Sequence, residues 1–124
     1  MGSIRVVRGA DLTSGPSSGG LTRKIVDVDE RVAVSEGRDE PHTSSGWHHH
    51  GDHVTCVYVL QGKVHVEWGP GGRDKADVGP GEFYVIPANT IHREENPGSE
   101  EQVFVGFAVG SGPKVINVDA PEPG

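Results

Sequence analysis

The stretch GEFYVIPANTIHREEN, from Gly81 to Asn96, decides the fold of this chain. Its segment Glu82–Ile86 is short and rich in aromatic and β-branched residues, which is typical of a β-strand. The segment ends at Pro87, and proline marks the end of a strand or the start of a turn. His92 follows shortly afterwards. The stretch therefore predicts a strand, a turn and then a histidine, which can meet distant side chains only through the fold.

The same pattern of short strands separated by turns continues on both sides of this stretch. The chain has 124 residues with 19 Gly and 9 Pro, and no segment keeps a helical period with caps over ten residues. Regular short strands and frequent turns favour an all-β sandwich or barrel in a single domain. The other predicted strands are Lys24–Val28, Arg31–Ser35, Val54–Leu60, Lys63–Trp68, Gln102–Val109 and Val115–Val118.

Three regions follow from this reading of the chain. Residues 1–21 are polar and rich in Gly and Ser, and they are expected to form an N-terminal arm or loop, with Ile4–Val7 as a possible edge strand. Residues 22–118 are expected to form the barrel. Residues 119–124 contain two prolines and are expected to form a frayed tail.

Composition excludes several classes of function. The net charge is −7, so the basic face that nucleic-acid binding requires is missing. No stretch approaches the ~18 apolar residues of a membrane span. The N-terminus has no apolar secretory core, so we expect a cytoplasmic protein. Cys56 is the single cysteine, which excludes an intramolecular disulfide.

A second informative stretch is Trp47–His53, which holds four of the seven histidines. His48 and His50 stand two residues apart, so on a strand they share one face. Neutral imidazole is the commonest metal ligand among side chains. Together with His92 they predict one divalent transition metal per chain. Imidazole ligands do not fix its identity, which could be Fe, Mn, Zn, Ni or Cu. The alternative is that they are surface histidines or satisfied core histidines.

These two stretches resemble the two motifs of the cupin superfamily. The first motif, G-x5-H-x-H-x(3,4)-E-x6-G, is matched by His48, His50 and Gly62, with His42 in place of its leading glycine and Thr55 in place of its glutamate. The second motif, G-x5-P-x-G-x2-H-x3-N, is matched throughout except at one position. Its residues here are Gly81, Pro87, Asn89, His92 and Asn96, where Asn89 replaces the second glycine. Asn is the best non-glycine residue for a left-handed turn position.

The resemblance implies a small double-stranded β-helix, a jelly-roll barrel with the metal inside its mouth, and frequent homodimers. Because Thr55 replaces the glutamate ligand, the resemblance also implies an all-histidine site that is neutral in its ligands. His53 is a candidate fourth ligand, and the alternative is a histidine that caps the turn or faces solvent. His49 is expected to point away from the barrel axis.

Two further residues are candidates for catalysis. Thr55 could hydrogen-bond a water on the metal, and Tyr84 could supply an acid, a base or a hydrogen bond to substrate. Core packing is the alternative for both. His42 and His65 are expected to be structural or solvated.

The function expected from the resemblance is a metal-dependent enzyme that acts on a small organic molecule. Oxidoreductase chemistry of the dioxygenase type is favoured, because it is common in cupins with all-histidine sites. The alternatives are a metal-dependent lyase, isomerase or cyclase that uses the metal as a Lewis acid, and a non-catalytic cupin that binds a small ligand.

Overall fold

The computed structural model describes residues 2–124, and it confirms an all-β protein without an α-helix in that range. Two antiparallel sheets carry the eleven strands. In chain order the strands are β1 Thr13–Ser14, β2 Arg23–Asp27, β3 Val32–Asp39, β4 His48–His49, β5 Val54–Gln61, β6 Val64–Trp68, β7 Asp74–Val78, β8 Phe83–Ile86, β9 His92–Glu95, β10 Gln102–Val109 and β11 Ile116–Asn117. Two single-turn 3₁₀ helices lie at Gly9–Asp11 and Pro70–Gly72.

The first sheet has the order β1-β2-β3-β10-β5-β8, and the second has the order β11-β4-β9-β6-β7. The long partners β3 and β10 run in unbroken register from Asp39 opposite Gln102 to Val32 opposite Val109. Gly37 of β3 stands opposite Phe104, and a Cβ at Gly37 would collide with the Phe104 ring. Because Gly37 has no side chain, the Phe104 ring can lie against its backbone between the sheets.

The core lies between the two sheets. Along β5 the side chains alternate, and Val57 and Val59 are buried while Val54 and Leu60 are exposed. Val59 packs with three valines of the second sheet, which are Val64, Val66 and Val78. Trp68 and Tyr84 pack against this cluster. Alternation at period two is what a sheet with one buried face requires.

Most of the strand predictions agree with the structure, and a few differ from it. β10 is reproduced to the residue, and β2, β5, β6, β8 and β11 to within one or two residues. β3 extends to Asp39, beyond the predicted end at Ser35, because every residue added pairs with β10. The short strands β7 and β9 were not predicted at all.

The N-terminal region contains a strand at a different place from the predicted one. Ile4–Val7 forms no strand, and Ile4 is 96% exposed. The edge strand is Thr13–Ser14, which pairs with Ile25 and Lys24 of β2. Within residues 2–124, no helix is long and apolar enough to span a membrane.

Candidate metal centre

Two turns with left-handed backbone hold the histidines of the two motifs together. Gly51 has φ 58° and Asn89 has φ 58°, and the amide of Asn89 donates a hydrogen bond to the Gly51 carbonyl at 2.8 Å. The expected left-handed conformation at Asn89 is therefore present. His42, which replaces the other motif glycine, also has a left-handed backbone with φ 61°. Both non-glycine residues carry the conformation that the glycines of the motifs would adopt freely.

Strand pairing brings the histidines to one place. His48 of β4 and His92 of β9 are directly opposite each other in the second sheet. The imidazole of His50, just after β4, has its ring centroid 5.1 Å from that of His48 and 5.0 Å from that of His92. All three side chains are buried, with exposures of 1%, 3% and 1%.

Each of these imidazoles is fixed by a backbone carbonyl. The three carbonyls belong to Gly46 for His48 at 2.9 Å, Lys114 for His50 at 2.8 Å and Thr90 for His92 at 2.9 Å, and each contacts Nδ1. A carbonyl can only accept, so each Nδ1 must carry the hydrogen, which leaves Nε2 of a neutral ring with a free lone pair. Metal-binding histidines are oriented in this way by the group on their other ring nitrogen.

A carboxylate, Glu94, completes the group. It lies two residues after His92 on β9, so the two side chains share one face. Its Oε1 is 3.2 Å from Nε2 of His92 and 3.4 Å from Nε2 of His48. Possible ligand atoms of His48, His50, His92 and Glu94 all lie within 4.8 Å of one another. Glu94 is not among the residues expected from the sequence, since β9 is a charged run that is not predicted as a strand, although the spacing His92-x-Glu94 is a usable signal.

The donor set fits a metal ion. Nε2 of His48 and Nε2 of His50 are buried and have no hydrogen-bond partner. Buried polar atoms without a partner cost about 1–3 kcal/mol each. The Glu94 oxygen likewise faces two nitrogen lone pairs, which is favourable only with a cation or a proton between them. Imidazole and carboxylate donors suit divalent first-row metals.

Burial and neighbouring charges set the ionisation of this group. Burial and the nearby His92 lower the pKa of His50 to about 3, so its imidazole is neutral at pH 7. Burial alone would raise the pKa of Glu94, but the neighbouring imidazoles of His48 and His92 outweigh it and hold the pKa well below its usual value. The candidate group therefore contains one negative charge, in contrast to the neutral set that the resemblance implies.

His53 is placed elsewhere. It is buried, and its Nδ1 contacts the carbonyl of His50 at 2.9 Å, but it is not a member of the group that surrounds Glu94. It lines a separate polar cavity of about 110 Å³ together with Asp27 and Asp29. The turn at Gly51 and Asp52 precedes β5, so the regular alternation that would align His53 with Thr55 begins only after His53.

The two catalytic candidates both lie inside the barrel. Thr55 is buried with Val57 on the inner face of β5, and its hydroxyl has no hydrogen-bond partner. The Tyr84 hydroxyl donates a hydrogen bond to Oε2 of Glu94. Burial and the charge of Glu94 raise the pKa of Tyr84 well above its usual value, so the hydroxyl keeps its proton.

The remaining histidines lie outside the group. His49 accepts a hydrogen bond from the Gly51 amide at 3.0 Å. His65 contacts Asp77 at 2.7 Å and Glu67 at 2.9 Å in a partly exposed charged network. The hydrogen bonds that His65 makes to the carboxylates of Asp77 and Glu67 raise the pKa of its imidazole. These positions agree with the expected peripheral roles.

An apolar cavity of about 290 Å³ begins at His92. It lies between β6 and β7 of the second sheet and β8 of the first. Its lining residues are Val66, Trp68, Ala76, Val78, Tyr84, Val85, Ile86, Pro87, Thr90 and His92. A small molecule in this cavity would lie against a histidine of the candidate metal group.

Comparison with known proteins agrees with the fold. The family model described as "Cupin domain" matches residues 35–109. A search of curated proteins gave no match. Among solved structures, an uncharacterized conserved protein with a double-stranded β-helix domain from Klebsiella pneumoniae has a TM-score of 0.71 at 18% identity, covering 92% of this chain and 96% of that one. The predicted double-stranded β-helix is thereby confirmed.

Two similar structures are enzymes by name. The polyketide cyclase RemF from Streptomyces resistomycificus has a TM-score of 0.72 at 24% identity, covering 94% of this chain and 86% of that one. Oxalate decarboxylase from Bacillus subtilis has a TM-score of 0.75 at 19% identity, covering 95% of this chain but 33% of that one. At these identities the likeness concerns the fold alone.

Proposed function

Because this chain belongs to the cupin domain family, we propose that it is a metal-dependent enzyme acting on a small organic molecule. The observation that carries the proposal is the convergence of three imidazole Nε2 atoms and the Glu94 carboxylate beside an apolar cavity. His48, His50, His92 and Glu94 would hold one divalent metal. The chemistry that such a metal supplies is polarisation of a substrate oxygen or, in the case of iron, redox chemistry with O2.

The protein side chains contribute binding, orientation and a proton. The valines and Trp68 of the cavity exclude water from the reacting part of the substrate. Tyr84 also lines the cavity, and it holds a proton next to Glu94. If it leaves Glu94, this hydrogen can be donated to a substrate oxygen in the cavity. The unpaired hydroxyl of Thr55 is a second group that could orient a bound molecule.

Oxidoreductase chemistry of the dioxygenase type is the first candidate reaction. Its support is the donor set, because a carboxylate with two or more histidines is the arrangement of non-haem Fe(II) oxygenases. The test is anaerobic reconstitution with Fe(II), followed by O2 uptake with a panel of thiols, diketones and phenols. Uptake that depends on one class of compound would support the oxidative reaction.

A lyase, isomerase or cyclase is the second candidate, and the Tyr84–Glu94 pair favours it. A buried acid beside a Lewis-acid metal suits proton transfers that need no oxidant. Absence of O2 uptake with any compound, together with tight retention of Zn(II), would support this version. Loss of turnover in Tyr84→Phe with unchanged metal content would then assign the proton to Tyr84.

We also propose that the protein forms a homodimer through the outer face of its first sheet. This face carries exposed apolar side chains, with Phe83 65%, Val85 60% and Phe107 45% exposed. The outward residues of β5, β8 and β10 include no charged side chain, so the net charge of −7 is not concentrated there. An apolar face that is identical on both copies suits a two-fold interface.

Sedimentation equilibrium tests the dimer. The wild-type chain and Ala88→Lys, which changes an exposed loop residue, should sediment as dimers. Phe83→Lys should sediment as a monomer, because it replaces an exposed aromatic ring of the apolar face with a charge. A wild-type chain that stays monomeric at high micromolar concentration would contradict the dimer.

A further inference from the structure

The walls of the cavity beside His92 restrict what the site can bind. Within residues 2–124, the lining contains no Lys, Arg, Asp or Glu. The polar side-chain groups among its lining residues are the hydroxyls of Tyr84 and Thr90, the imidazole of His92 and the indole N–H of Trp68. All its other members are aliphatic or aromatic. Apolar walls with a few polar groups that fix orientation are typical of small-molecule sites.

These walls disfavour anionic ligands. A carboxylate or phosphate in this cavity would lose its hydration without an Arg or Lys to pair with, which disfavours its binding. The buried Glu94 carboxylate, behind Tyr84, adds repulsion. A metal in the candidate group could neutralise one oxygen of the ligand, but the walls offer no partner for a second charged group.

The walls also disfavour sugars. A sugar presents several hydroxyl groups, and each one buried without a hydrogen-bond partner weakens binding. Tyr84 already donates its hydrogen to Glu94, so few polar groups remain for additional hydroxyls. A ligand with one oxygen satisfies the site better than a ligand with many.

Size and shape add a further restriction. The volume of about 290 Å³ is near the lower end of the ~300–1,000 Å³ found for small-molecule pockets. Trp68 and Tyr84 give the cavity two aromatic walls, and aromatic rings prefer offset or edge-to-face contact with other rings. Ala76 is exposed and lines the cavity, so it lies at the opening.

We propose that the cavity takes a neutral, ring-containing, mainly apolar molecule of one or two rings with a single hydroxyl or carbonyl oxygen directed toward Tyr84 and His92. This substrate class rests on the proposed function, because the metal group lies where that oxygen would be. It excludes dicarboxylates such as oxalate and phosphorylated sugars as substrates.

The test measures binding to the zinc-loaded protein by calorimetry, with 2-naphthol, oxalate and glucose 6-phosphate as probes and with zinc content determined separately. We expect 2-naphthol to bind at least tenfold more tightly than either anion. Ala76→Phe should weaken 2-naphthol binding at least tenfold by filling the opening, with zinc content unchanged. Ala88→Phe, an exposed residue outside the cavity, should bind 2-naphthol as the wild type does.

Tighter binding of oxalate or glucose 6-phosphate than of 2-naphthol would overturn the substrate class and leave the metal proposal standing. Equal binding of 2-naphthol by Ala76→Phe and wild type would overturn the assignment of this cavity. A protein that binds 2-naphthol in this cavity but retains no zinc would support the cavity assignment and contradict the proposed metal enzyme.

Discussion

Oε1 of Glu94 lies 3.2 Å from Nε2 of His92, two residues apart on the same strand. Thr55 occupies the position where the family motif usually has its glutamate, and Glu94 brings a carboxylate to the histidines from a different strand, β9 rather than β5. A negative charge is therefore available to the group despite the threonine.

Glu94→Gln should weaken metal binding. The change removes a charged ligand, so the loss should be at least the ~10–100-fold that removal of an outer partner costs. Competition titration with a zinc chelator measures the affinity. Glu95→Gln is the matched control, because Glu95 pairs with Arg93 at 3.2 Å outside the metal group. Equal affinity of Glu94→Gln and Glu95→Gln would show that Glu94 is not a ligand.

His53→Gln should retain one metal ion per chain, whereas His50→Gln should lose most of its affinity. His50 has an unpaired Nε2 directed at the group, while His53 lines a different cavity. Elemental analysis of both purified variants gives the metal content. If His53→Gln lost metal as completely as His50→Gln, His53 would have to be restored as the fourth ligand.

Thr55→Val should leave the folded protein as stable as the wild type or more stable by about 1 kcal/mol, because a buried hydroxyl without a partner costs about 1–3 kcal/mol. Thr43→Val is the comparison, since the Thr43 hydroxyl donates to the Glu40 carbonyl at 2.7 Å and its loss should destabilise. Urea unfolding of the metal-free proteins measures both. A marked loss of stability in Thr55→Val would mean that the hydroxyl has a partner in the folded protein.

Ionisation of the buried Asp39 carboxyl should lower the free energy of unfolding as the pH rises. Burial raises the pKa of Asp39 to about 6 from a usual 3.8, although a hydrogen bond from the Thr22 amide opposes the shift. The folded protein thus binds this proton more tightly than the unfolded chain, and the stabilisation present below pH 3.8 is lost as the pH passes 6. Asp39 is buried, so the shift should count nearly in full, and relative to the wild type Asp39→Asn should gain about 2 kcal/mol between pH 4 and pH 7.

Asp29→Asn is the control of opposite sign. Amides of Arg31 and Val32 donate to the exposed Asp29 and lower its pKa. Relative to the wild type, Asp29→Asn should therefore lose stability as the pH rises through the acid range. Unfolding curves at several pH values measure both differences. If the difference in free energy of unfolding between Asp39→Asn and the wild type did not change with pH, the proposed shift in the pKa of Asp39 would be contradicted.

The parts of the fold that could be predicted from sequence are those in which one strand carries its own pattern. β10 is apolar along its length, and β5 and β6 alternate cleanly, so their bounds were close. β7 contains Asp74, Lys75 and Asp77, so its composition does not predict a strand. It is an edge strand that is held by its pairing with β6. β9, the charged run His92–Glu95, becomes a strand because it pairs with both β4 and β6.

Part of the candidate site could also be predicted from the sequence. His48, His50 and His92 were recognisable from spacing and from the family motifs, and the left-handed turn at Asn89 followed from its place in the second motif. Glu94 required β9, and the place of His53 required the turn before β5. The local spacing His92-x-Glu94 offers a signal for Glu94 only once β9 is recognised as a strand, and no local pattern gives the place of His53.

The most direct test of the account is a crystal structure of the zinc-loaded protein with anomalous scattering recorded at the zinc edge. The account predicts one anomalous peak per chain, about 2.0–2.2 Å from Nε2 of His48, His50 and His92 and from a carboxylate oxygen of Glu94. A peak coordinated by His53, or a fully loaded protein with no peak at this group, would contradict it.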